Sequence, residues 1–175
     1  MTEPVIIIVA LALLLITAIC TDLFSSRIPN WLTFSAMGIA LVSHAWLGGI
    51  PEVIVSLAGL ATGFGLFVIP YAFRGIGAGD VKLMAAIGAM LGPYDALLSG
   101  LLAVMVGMAY ALGAVWYQWG FVATCRKIVS AAQNALLAGG LGWMQEFMLP
   151  FRLRYGLAIV GGTLLFVIGL HPFGE

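Results

Sequence analysis

The chain has 175 residues, 63% of them hydrophobic and only 8% charged, with a mean hydropathy of +1.14. A soluble domain carries about 25% charged residues, so this composition defines a polytopic membrane protein, one domain by length. The formal net charge is zero and the two cysteines, Cys20 and Cys125, have neither CxxC spacing nor a nearby His, which argues against nucleic-acid binding, a zinc site or a disulfide framework and leaves no cofactor to expect.

The first apolar run, about 4–20, opens on Glu3 rather than on basic residues and lacks a small-residue cleavage site. It reads as a retained helix, not a removed signal peptide. It leads directly to Asp22. Pro29 and Asn30 then break the chain and start a second segment, about 31–47. A third, about 53–73, ends in Gly75-Ile76-Gly77-Ala78-Gly79-Asp80. The fourth, about 82–92, is short for a span, and its Ala85, Ala86, Gly88 and Ala89 suit close packing inside a bundle. A fifth covers about 96–117 and a sixth about 156–171. Between them, about 118–155 mixes Leu136, Leu137, Leu141 and Trp143 with Gln133, Asn134, Gln145 and Glu146. That stretch reads as a cytoplasmic, partly interfacial segment broken at Gly139-Gly140 and stopped by Pro150. The expected fold is all-α, a single integral-membrane domain over 1–175 with about six transmembrane helices.

Charge orients these segments. Arg27, Arg74, Lys82, Arg126, Lys127, Arg152 and Arg154 are all of the basic residues, and every one falls in or beside the loops that six spans would place on one side. The opposite side carries Glu3, Glu52, Asp95 and Glu175. The positive-inside rule puts the basic loops in the cytoplasm and both termini outside.

Asp22 and Asp80 stand out within this pattern. Both lie at the cytoplasmic membrane edge, where an ionised group near hydrocarbon costs about 2–4 kcal/mol. One such Asp reads equally well as a helix cap. Two at the same depth can be brought together by the bundle. Carboxylates at hydrogen-bond distance do not both ionise easily, so the pair keeps one proton. One member can then activate water while the other protonates a carbonyl or leaving nitrogen, the chemistry of aspartic peptide hydrolysis. Gly75, Gly77 and Gly79 offer positive φ and close backbone approach next to Asp80, where an extended substrate could pair by strand addition. Alone, these glycines also fit an ordinary interhelical loop.

Asp22-Leu23-Phe24-Ser25-Ser26-Arg27-Ile28-Pro29-Asn30 resembles the first catalytic motif of the type IV prepilin peptidases, and Gly77-Ala78-Gly79-Asp80-Val81-Lys82 resembles their second, GxGD followed by x-Lys. The resemblance covers roughly residues 1–117. It implies that Asp22 and Asp80 are the catalytic aspartates of an enzyme in the bacterial inner membrane. It also implies a substrate: a pilin-like precursor with an apolar N-terminal helix, whose short basic leader is removed on the cytoplasmic side. Bifunctional family members, which also N-methylate the new terminus, carry a further cytoplasmic region, often with CxxC pairs, before the first motif. Here Cys20 leads straight to Asp22. The chain is similar to the short, peptidase-only form of tight-adherence (Flp) pilus systems.

Arg27 and Lys82 could hold substrate or tune the pair, and read equally as topology anchors. His44 and His171 fall near the outer face, away from the pair. Trp46, Trp116, Trp119 and Trp143 suit interfacial anchoring. Three other readings remain. A proton- or cation-coupled transporter would place its acids at mid-span. A non-catalytic scaffold of a pilus or secretion system would need neither aspartate. A presenilin-like protease would pair GxGD with an earlier Tyr-Asp, whereas Tyr94-Asp95 comes later in this chain.

Overall fold

The computed structural model describes residues 3–25, 28–72, 75–119 and 155–169, with the single positions 126 and 129. Among them all regular structure is helical: α1 Glu3–Ser25, α2 Asn30–Ala72, α3 Ala78–Leu91, α4 Pro93–Trp119 and α5 Tyr155–Gly169. Three of these helices, α1, α2 and α4, are long and apolar enough to cross a membrane, and α5 is a shorter apolar helix. The expected interfacial segment lies outside the described residues beyond Trp119, except for positions 126 and 129, as do Arg27 and Arg74.

Helix α1 continues past the expected end at Cys20 to Ser25. Between Val5 and Ile28 there is neither Gly nor Pro to stop it. The hydroxyls of Thr17 and Thr21 donate to their own helix, to Leu13 O at 2.6 Å and Thr17 O at 2.9 Å, and so need no outside partner. Leu11, Leu14, Leu15 and Ala18 form its buried stripe at helical spacing, and Asp22 is the next position on that stripe. The carboxylate is therefore turned inward with the leucines.

Helix α2 contains two expected segments. Straight, its 43 residues would measure about 64 Å, twice the hydrocarbon core of about 30 Å. Instead the chain reverses at Gly49, where φ is 65° and ψ −149°, a conformation that glycine adopts at little cost. The reversal is read from the contacts with α3. Asn30 meets Lys82 and His44 meets Met90, so the first limb runs parallel to α3. Ser56 donates to Ala89 O, while Gly59 abuts Gly88 and Gly63 abuts Met84, so the second limb runs antiparallel. The His44 Nδ1 and Glu52 Oε2 pair, 3.3 Å apart, bridges the turn.

Helix α3 is the centre of the bundle. Val81 and all residues from Leu83 to Met90 are buried. Its small residues permit this: a methyl group at Gly88 would strike the Gly59 carbonyl oxygen, and one at Gly59 would strike that of Gly88. Gly92 (φ 85°) both ends α3, donating to Gly88 O at 2.9 Å, and opens α4, accepting from Ala96 N–H at 3.0 Å. Helix α5 returns along α4, with Tyr155 against Gly107 and Gly162 against Ala103. Outside the core, Leu13, Ile16, Val42, Trp46, Met105 and Ile168 are exposed. A bundle apolar on both its inner and outer faces is matched to lipid rather than to water.

Candidate active site

One end of the bundle gathers the last turn of α1, the first turns of α2 and α3, and the start of α5. Ala78, Gly79 and Asp80 belong to the first turn of α3, not to the open glycine loop the spacing suggests. Asp80 Oδ2 accepts the Gly77 N–H at 3.0 Å, and the Asp80 N–H donates to Gly77 O at 3.1 Å. This reciprocal pair begins the helix and fixes the carboxylate.

The glycines act differently from expectation. Gly77 has φ −83° and ψ 153°, an ordinary extended conformation. Gly49 and Gly92, far from the acids, are the positive-φ glycines of the described residues. What Gly77 and Gly79 provide is room. A methyl at Gly77 would lie 3.2 Å from Asp80 Oδ2, and one at Gly79 would lie 3.2 Å from Ile28 Cβ. Gly75 donates to Pro70 O at 2.9 Å, closing the end of α2. The N–H groups of Gly75 and Gly77 are thus both bonded within the chain.

Asp22 and Asp80 are both buried, at 5% and 9% exposure. Asp80 precedes the apolar stretch 82–92, and its pKa is pushed up from 3.8 to about 6. Burial is the largest cause, the Gly77 hydrogen bond opposes it, and the nearby Asp22 charge adds to it. The two acids, 58 positions apart by number (80 minus 22), thus lie within electrostatic reach. A third element completes the end. A methyl at Gly156 would lie 2.9 Å from Asp22 Oδ2, so α5 packs its bare Cα against that carboxylate. The adjacent Tyr155 is within electrostatic reach of Asp80, and its ring meets Phe67 edge-on at 6.1 Å.

Lys82 follows Asp80 by two residues in α3. Its Nζ donates to Asn30 Oδ1 at 2.9 Å and sits 5.4 Å from the Phe34 ring centre, tying the start of α3 to the start of α2. Arg27 lies outside the described residues. His44 is at the far end of α3, with Nε2 3.4 Å from Met90 O. Among the described residues no three His, Cys, Asp or Glu side chains gather as a metal-holding group. Tyr155, Gly156 and Phe67 were not legible as site residues: each is an unremarkable member of an apolar segment until the helices pack.

A family comparison identifies the family of the chain. Residues 9–112 match the type IV leader peptidase family, and the chain belongs to that family. The match includes both aspartates and stops before α5. It makes the chain a member of a peptidase family, associated with pilin-like precursors and with integral membrane proteins. Comparisons with curated proteins and with solved structures find no match.

Proposed function

We propose that this protein is an aspartic endopeptidase of the bacterial inner membrane that removes the short basic leader from pilin-like precursors, using Asp22 and Asp80 as a dyad. The observation that carries the reading is the convergence of two buried, electrostatically coupled acids from α1 and α3 at one end of the bundle. Asp80 holds the proton and Asp22 is ionised. Asp22 takes a proton from water as its oxygen attacks the scissile carbonyl carbon, and Asp80 gives its proton to the carbonyl oxygen. The tetrahedral intermediate then collapses: the C–N bond breaks, the nitrogen takes the proton held by Asp22, and Asp80 recovers one from the diol. No covalent intermediate forms, and no metal, cofactor or methyl transfer enters the scheme.

The α2 limbs, α1, α3, α4 and α5 supply six crossings, with the acids at the cytoplasmic edge and both termini outside. Lys82, through Asn30, holds the mouth of the site, and Arg27 is a further candidate for binding the leader. Gly77 and Gly79 keep the approach to Asp80 narrow but open. Pilus biogenesis or a related secretion system is the setting.

Asp22→Asn and Asp80→Asn test this. Asn preserves shape but does not exchange the proton. Each variant is expected to insert normally and lose cleavage of a co-expressed precursor by about 10²–10⁴-fold or more, read as the absence of the size shift on a gel. Processing near the wild-type rate by either variant overturns the dyad. Chelators and serine or cysteine reagents should leave cleavage by the purified protein unchanged.

A further inference from the structure

We infer that the start of α5, outside the segment matched to the family, positions the dyad, with Gly156 setting the place of the Asp22 carboxylate and the Tyr155 ring holding Gly156 in register. This rests on the dyad reading above. Three contacts from three elements carry it. The Tyr155 ring fills the space beside Gly107 on α4, where a methyl group would strike it. The same ring meets Phe67 of α2 edge-on at 6.1 Å. The next residue, Gly156, then faces Asp22 of α1, its missing Cβ leaving the place that Oδ2 approaches to 2.9 Å.

The kind of crowding separates positioning from packing. At Gly162 a methyl group would strike the backbone of Ala103, which cannot move alone. At Gly156 it would meet the end of a rotatable side chain, so the carboxylate gives way and the backbone stays. At Gly161 it would meet Val106 Cγ1 at 3.5 Å, an ordinary contact. Gly156 is therefore a positioning residue acting through Asp22. Among the described residues, the charged and titratable groups facing this corner from the packed elements are Asp22, Asp80 and Tyr155.

The experiment compares Gly156→Ala, Gly161→Ala, Gly162→Ala, Tyr155→Phe and Tyr155→Leu in the full chain, purified in detergent with a pilin precursor as substrate. Asp22→Asn and Asp80→Asn are included. Gly156→Ala should lower kcat about 100-fold, the effect of roughly an ångström of misplacement, with KM within about twofold of wild type and thermal midpoint within a few degrees. Because the coupling of Asp22 to Asp80 changes, the alkaline limb of its pH profile should also be displaced. Tyr155→Phe keeps the ring and should stay near wild type, while Tyr155→Leu should follow Gly156→Ala. Gly161→Ala should match wild type, and Gly162→Ala should melt early.

A wild-type kcat and pH profile for Gly156→Ala overturns the inference while leaving the dyad standing if both Asn variants are dead. Early melting of Gly156→Ala, to the extent of Gly162→Ala, also overturns it, because the role is then packing. Cleavage by either Asn variant overturns the dyad reading, and this inference with it.

Discussion

At the residue scale, the decisive fact is that Asp80 is buried and yet capped. Its carboxyl is held near 6 instead of 3.8, so the protein binds its proton more tightly when folded than when unfolded. The sign follows: the fold loses stability as pH rises from about 4 to about 6, and above that carries the full cost of an ionised Asp80. Asp80→Asn should therefore raise the thermal midpoint at pH 8 and converge on wild type near pH 4, as measured by thermal unfolding in detergent. An Asn variant less stable than wild type at pH 8 would contradict burial as the dominant cause. In the proposed dyad the same group sets the activity profile. Above about pH 6 the pair loses its shared proton, so kcat/KM should fall toward tenfold per pH unit, with an apparent pKa belonging to the pair. A flat profile from pH 6 to 9 would exclude Asp80 as the acid.

At the scale of the element, α3 explains how so short a helix holds an interior place. Its Gly88 and the Gly59 of α2 bring two backbones into contact, and Gly92 turns the chain at φ 85°. Gly88→Ala puts a methyl group against a carbonyl oxygen that has no freedom to rotate away. It should cost about 1–3 kcal/mol or more, seen as an early thermal transition. Gly65→Ala, with nothing within 4 Å of the added methyl, should be neutral or slightly stabilising. Equal midpoints for the two variants would show that α2 and α3 are not tightly packed there. The α2 hairpin was legible in part. Gly48-Gly49 and Pro51 mark a break between two apolar runs, but the run of α1 through Asp22 to Ser25 was not, because hydropathy falls at Thr21-Asp22 while helix geometry does not.

At the scale of the whole molecule, the acids sit at one end of the bundle and His44, Glu52 and Met90 at the other. If the site lies at the membrane edge, as proposed, it selects its bond by depth. In the proposed reading, moving the cleavage junction about four residues into the precursor's apolar helix, roughly 6 Å deeper, should abolish processing. A soluble peptide of the same junction should be a poor substrate for lack of the docking helix. Efficient cleavage of both the shifted precursor and the peptide in a purified assay would remove membrane depth from the selection.

The sequence by itself determined the class, because 63% hydrophobic residues with 8% charged leave only a lipid-matched helical bundle, in which backbone groups bond internally. It also determined the two motifs, since Asp22 and Asp80 stand with Ile28-Pro29-Asn30 and Gly77-Ala78-Gly79 as local strings that need no partner to be read. The tertiary structure decided what those residues contact. Gly77 and Gly79 look permissive in sequence, yet their conformations are ordinary and their value is space, which exists only once Asp80 and Ile28 are packed against them. That Lys82 bonds to Asn30, in another helix, is visible only in the folded chain. Tyr155 and Gly156 carry no local signal, because a contact with Asp22 is a property of three helices meeting and of none of them alone.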